Sequence, residues 1–155
     1  MADFQAPIGL QLSQAARTVS RAFDEVLEQA GGTLPVWLIL LNLTIQRPPH
    51  QRALAEAVGI TDATLTHHLN GLEKRGLITR RRDPGNRRVH VVELTEDGKQ
   101  AFLRLREAAI AFNARLNEGL SAQDAVTLTG LLDRLVANVG GMDTAVPWQG
   151  LAEGK

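Results

Sequence analysis

The sequence contains no cysteine. That excludes disulfides, thiolate metal sites, cysteine nucleophiles and thiol-based redox sensing, and it is compatible with a reducing compartment. Tyrosine is also absent, and aromatic residues make up only 4% of the chain. The apolar content is therefore mainly Leu, Ala and Val, which suits helices packed on helices. No long hydrophobic run is present. The most apolar stretch, Leu34 to Ile45, falls short of the roughly 20 residues a helix needs to cross a bilayer. Met1 to Gln5 lacks the basic start of a signal peptide. The expectation is a cytoplasmic protein with no membrane partner. At 155 residues the chain fits one domain, or a small domain with an appended dimerisation element.

Net charge is absent as well: 17 Lys and Arg balance 17 Asp and Glu. The distribution is uneven, however. Between Lys74 and His90, seven bases (Lys74, Arg75, Arg80, Arg81, Arg82, Arg87 and Arg88) meet one acid, Asp83, a local balance of +6 that the rest of the chain offsets with −6. Such a run is either a solvated face or a patch for a polyanion, and its setting decides between them.

Apolar residues recur at steps of three and four from Ile8 to Ala30 (Leu12, Ala15, Val19, Phe23, Val26), which predicts an amphipathic helix ended by Gly31-Gly32. Thr33 is positioned to cap a second helix, Leu34 to Gln46, with Pro35 in its first turn. That helix is apolar nearly all round and should be central; Pro48-Pro49 stops it. A short helix over 51–58 is broken at Gly59. Thr61 caps the next, which runs to Arg75 with Leu65, Leu69 and Leu72 on one face, and Gly76 ends it. Residues 77–82 and 89–94 read as two strands joined by the turn Asp83-Pro84-Gly85-Asn86. Thr95 opens a further helix carrying Phe102, Leu105, Ala109, Phe112 and Leu116 in register. Ser121 caps a last one with Leu128, Leu135 and Val139, closed by Gly140-Gly141. A loose tail follows to Lys155 unless Trp148 docks it.

The two helices around Val58-Gly59-Ile60 have helix-turn-helix spacing, a pattern that an ordinary helical hairpin shares. The outer arc of the second helix is more telling. With about 100° per residue and the leucines turned inward, that arc holds Ala63, Thr64, Thr66, His67, Asn70, Gly71 and Lys74. It is short, polar and nearly free of acid. Thr and Ala can meet a thymine methyl, while Thr, His and Asn can hydrogen-bond base edges. Lys74 is placed for a phosphate. Arg80 and Arg82 share one face of the first strand and are expected to bind the DNA backbone, with Arg81 on the other face. Arg87 and Arg88, just past the turn, suit a narrow minor groove.

These residues resemble the MarR family of transcriptional regulators. The resemblance rests on Leu-Ala-Glu-Ala-Val-Gly-Ile at 54–60, Thr66, Leu72-Glu73-Lys74-Arg75-Gly76-Leu77-Ile78, Arg80, Asp83-Pro84, Arg87-Arg88, and Leu94-Thr95 with Gly98. It covers roughly Leu34 to Gly98 at the level of motifs. It implies a mostly α (α+β) fold: a winged helix-turn-helix with a two-stranded β-wing, plus N- and C-terminal dimerisation helices. Arg88 falls on the family's wing arginine, which implies a DNA contact or an ionic partner on the recognition helix. Three positions depart from the family's pattern. Asn86 replaces the wing Asp, Asn70 stands where some members have an Asp that pairs with the wing arginine, and His67 occupies a position often held by Arg.

The expected organisation is a DNA-binding region at 34–95, a dimerisation region formed by 8–30 with 96–140, and a tail at 141–155. The resemblance implies a homodimer that binds double-stranded DNA at a pseudo-palindromic operator, as a repressor responsive to a small-molecule effector. The alternative is a winged-helix protein-interaction module, which would need no basic wing. No catalytic constellation is evident, and no cofactor is expected. The four histidines His50, His67, His68 and His90 include no pair at i, i+4, so no metal is expected either. Trp37 either fills the core or, with Phe23, lines an effector pocket between the winged region and the dimerisation helices.

Overall fold

The computed structural model describes residues 6–48, 50–86 and 90–140. The elements run in chain order as α1 (Ile8–Gln29), α2 (Leu34–Ile45), α3 (Gln51–Val58), α4 (Asp62–Lys74), β1 (Ile78–Arg82), β2 (His90–Leu94), α5 (Glu96–Leu116) and α6 (Ala122–Asn138). This is the expected order, with helix and strand ends within one or two residues of those read from the sequence.

Local chemistry explains most boundaries. Thr61 accepts a hydrogen bond from the Thr64 amide, Thr95 from the Gly98 amide, and Ser121 from the Asp124 amide. Asp124 returns a bond to the Ser121 backbone and completes a capping box. Thr33 does sit at the head of α2, but its side chain makes no capping bond there; Pro in the first turn sets that start instead. His50 caps α3, its Nδ1 accepting from the Ala53 amide at 3.1 Å. Gly59 leaves α3 with φ +77°, a left-handed turn that a side chain would strain.

β1 and β2 form one antiparallel hairpin with Arg80 opposite Val92 and Arg82 opposite His90. Asp83 Oδ1 accepts from the amides of Gly85 (2.7 Å) and Asn86 (3.0 Å), the side-chain turn that its sequence calls for.

The core is organised around α2, apolar on every side. Trp37 is 2% exposed and stacks on Phe102 of α5, ring centroids 5.6 Å apart. Leu27, Leu40, Leu54, Leu65, Leu69 and Leu105 close around it. Phe23 of α1 stacks on Phe112 of α5 at 4.9 Å. The root of the hairpin is pinned to α5 in three ways. The Thr95 hydroxyl donates to the Gly76 carbonyl at 2.6 Å, the Thr95 amide donates to the Leu77 carbonyl at 3.1 Å, and Gly98 presses against that same carbonyl. A Cβ on Gly98 would lie 1.9 Å from the Leu77 oxygen, so only glycine fits.

The long helices are covered unevenly. α6 has no buried residue, and Leu128, Leu131, Leu132 and Val136 stand exposed along it. Ile8, Leu10 and Leu12 of α1 and Ile110 and Leu116 of α5 are exposed too. Among the described residues no single helix is long and apolar enough to cross a membrane.

Candidate nucleic-acid interface

α4 is anchored by Leu65, Leu69 and Leu72, all within 1% of full burial. This fixes which residues face outward, and Ala63, Thr64, His67, Asn70, Gly71 and Lys74 are all exposed. Thr66 is half-buried and bonded to Gln51 of α3, Nε2 to Oγ1 at 2.9 Å. That bond holds the first helix of the pair to the second. His67 meets His68 edge-on at 5.7 Å. Asp62, in the first turn, complements the positive end of the helix dipole.

The hairpin basics divide into two sets. Arg80, expected to reach the DNA backbone, instead turns back onto α4. Its guanidinium donates to Glu73 Oε2 from Nε (3.1 Å) and Nη2 (2.5 Å), and Nη2 also donates to Asn70 Oδ1 at 2.7 Å. Its side chain is only 20% exposed. The physical reason is strand alternation: Arg80 shares the face of β1 that carries buried Ile78, and that face looks toward α4. Arg81 is also engaged, with two bonds to the Glu93 carboxylate at 3.1 and 3.0 Å. Arg75 donates to the Gly31 carbonyl at 3.0 Å. Lys74 and Arg82 remain exposed, with no ion pair to any described residue. Arg87 and Arg88 lie outside the described residues.

These pairings set the local electrostatics. The hydrogen bond from Arg80 holds the Glu73 carboxyl below its ordinary value, and Arg81 does the same to Glu93. Both acids are ionised at neutral pH and neutralise their partners, leaving α4 with no unpaired acid between Thr64 and Lys74. Between α3, the start of α4 and the hairpin lies a polar cleft of about 590 Å³, lined by His50, Gln51, Arg52, Thr66, Arg80 and His90 among others. Sequence reasoning passed over Gln51, Glu73 and this role of His50 and His90.

The model of the MarR family matches residues 33–90, the segment from the head of α2 to the first residue of β2. A solved structure of a probable transcriptional regulator from Pseudomonas aeruginosa is 32% identical, superposes with a TM-score of 0.71, and is matched over 87% of this chain and 99% of its own. The chain belongs to the MarR family. Two further solved structures share the fold at 23% identity. CouR from Rhodococcus jostii RHA1, bound to p-coumaroyl-CoA, has a TM-score of 0.70 over 92% of this chain and 98% of its own. BpsR from Bordetella bronchiseptica, whose DNA binding is regulated by 6-hydroxynicotinic acid, has 0.73 over 87% and 96%.

As a MarR-family transcriptional regulator, the chain is measured against its expected effector pocket, and here the geometry departs from the sequence reading. Trp37 is core: its ring is used up against Phe102, and it lines neither the polar cleft above nor the cleft described next. Phe23 is spent on Phe112. A more open site lies elsewhere. α2, β2 and α5 enclose a cleft of about 640 Å³ with Leu43, Val92, Phe102 and Leu103 on its walls and Arg47 and Lys99 at its edge. Arg47 has φ +47°, among the described residues the one non-glycine with positive φ. Its guanidinium makes no side-chain bond to any described residue.

Proposed function

We propose that this MarR-family protein is a cytoplasmic, sequence-specific double-stranded DNA-binding repressor, acting as a homodimer on a pseudo-palindromic operator and released by a small-molecule effector. One observation carries the reading. The outer face of α4 is exposed, polar and without unpaired acid, and it stands beside a hairpin with free cations at Lys74 and Arg82. Ala63, Thr64, Thr66, His67 and Asn70 meet base edges in the major groove. Lys74 and Arg82 take phosphates. Arg87 and Arg88 are assigned to the minor groove from the sequence alone. Residues 34–95 form the DNA-binding region; 8–30 and 96–140 form the dimerisation region.

The dimer is supported by the apolar faces of α1, α5 and α6, which one chain leaves uncovered. Val126, Leu128, Leu131 and Val136 of α6 are each about half exposed or more, an arrangement that a monomer in water does not favour. Two copies related by a two-fold axis would set their α4 helices about one DNA turn apart, roughly 34–36 Å.

For the effector, the α2–β2–α5 cleft joins an apolar wall to two cations. That combination suits an amphipathic organic anion, the kind of molecule that BpsR and CouR are named with. β2 is a strand of the hairpin, so occupation of this cleft would favour dimers whose DNA-contacting elements are displaced.

The test is a salt titration of binding to duplex DNA. Phosphate contacts give a log–log slope near −0.9 for each neutralised charge. A DNA-silent protein, or one whose complexes are insensitive to salt, would refute the reading and favour a protein-interaction module.

A further inference from the structure

We propose that Arg80 is a positioning residue that decides which base Asn70 reads, by fixing Asn70 with its amino group outward. The inference rests on the DNA-binding reading above and goes beyond it to specificity at one position. Asn70 sits in the middle of the exposed face of α4, one turn before Lys74. Its side-chain amide has two chemically different ends, an oxygen that accepts and an NH2 that donates. A guanidinium only donates. Arg80 Nη2 lies 2.7 Å from the Asn70 amide, so the end turned toward Arg80 must be the oxygen.

Arg80 itself has little freedom to release that oxygen. It is held on its other side by two bonds to Glu73, and only 20% of its side chain reaches solvent. The charged pair and the amide bond form one unit across β1 and α4. The Asn70 NH2 has no partner among the described residues and is the end left for a ligand.

The consequence is a change of code. An asparagine reads adenine by accepting from N6 while donating to N7, which requires both ends of the amide to face the base. Here the acceptor is already spent on a cation, and the adenine amino group would compete with it. Guanine, with two acceptors at O6 and N7, and thymine, with an acceptor at O4, need only the donor that remains. Asn70 therefore favours guanine or thymine over adenine at the pair it faces. Arg80 imposes this preference without touching the base.

The experiment is selection of bound duplexes from a random pool by the full-length protein and four variants. Asn70→Ala locates the position, one in each half-site, whose preference it abolishes. In the wild type that position carries guanine or thymine. Arg80→Met frees the amide and raises recovery of adenine there by roughly tenfold, within the range for one bidentate base contact, while neighbouring positions keep their preferences. Arg80→Lys keeps a charged donor beside the oxygen and keeps the wild-type preference. Asn70→Asp keeps the pair with Arg80 but has no donor to offer, so guanine enrichment is lost. Adenine at the wild-type position, or an Arg80→Met preference unchanged from wild type, would overturn the assignment while leaving the DNA-binding reading intact. A wild-type protein that enriches no sequence would overturn both.

Discussion

The Arg80 guanidinium grips a single oxygen of Glu73, Nε at 3.1 Å and Nη2 at 2.5 Å, and so ties the first strand of the hairpin to the last turn of the recognition helix. The pair is surface-placed, and its value lies in geometry rather than in bulk stability. It makes β1 and α4 one body, so whatever displaces the hairpin also turns the helix.

The pair titrates in a definable window. The Glu73 carboxyl is held below its ordinary value, first by the hydrogen bond from Arg80. A carboxylate whose folded pKa is depressed contributes fully above its unfolded value, about 4.3 for glutamate, and loses the contribution as pH falls through the lowered one. The coupling is thus complete at neutral pH and fails only in acid, below about pH 4. NMR titration of the Arg80 Nε–H should show a protected proton from pH 7 to 5 that exchanges freely in stronger acid. In the Glu73→Gln variant it should exchange faster throughout. An Arg80 signal indifferent to both would contradict the pairing.

Gly98 tests the packing at the root of the hairpin. A methyl there would sit 1.9 Å from the Leu77 carbonyl oxygen, which is backbone and cannot step aside cheaply. Gly98→Ala is expected to destabilise the protein by about 2–3 kcal/mol or more, in the upper range for overpacking. Urea denaturation at fixed protein concentration measures it. A loss under half a kcal/mol would mean that the contact is not held in solution.

Lys74 and Arg82 are the free cations of the described interface, and His67 is an exposed base-facing candidate. Lys74→Ala and Arg82→Ala should each weaken binding to all duplexes alike and reduce the salt slope by about 0.9. His67→Ala should leave the slope alone and relax preference at one position. Uniform losses from all three substitutions would erase the division between phosphate and base contacts.

The uncovered stripe of α6 gives a direct test of assembly. Leu128 is 50% exposed in the single chain, and a carboxylate there costs a monomer little. In a dimer that buries the stripe, Leu128→Glu inserts an unpaired charge into an apolar interface. Sedimentation equilibrium should show a wild-type dimer at micromolar concentration and a variant shifted toward monomer by tenfold or more in dissociation constant. A wild type that sediments as a monomer would remove the two-fold model of operator binding.

Much of this fold is legible in the residues because the signals are local. Thr61, Thr95 and Ser121 announce helix starts three residues before the amides they bind. Asp83-Pro84-Gly85-Asn86 announces its turn through a side chain that reaches only three residues ahead. What escaped is non-local. A count of charge from Lys74 to His90 makes Arg80 and Arg81 look free because it stops one residue after Glu73 and three before Glu93. Folding brings both acids back, one across the helix–strand corner and one diagonally across the hairpin. Strand alternation, applied to β1 with Ile78 as the inward reference, would have turned Arg80 toward α4. Trp37 was ambiguous for a different reason: a helix apolar on every side carries no moment to say which face meets a cavity. His50 as a cap was invisible because histidine is outside the usual capping set.

The central claim is that the outer face of α4 and the cationic hairpin engage one duplex together, twice per dimer. Hydroxyl-radical footprinting on a selected operator tests it most directly. The account predicts two protected backbone tracts whose centres lie about one helical turn, 10–10.5 base pairs, apart, with major-groove methylation interference inside each half-site. A single tract, or protection with no interference at any major-groove guanine, would contradict it.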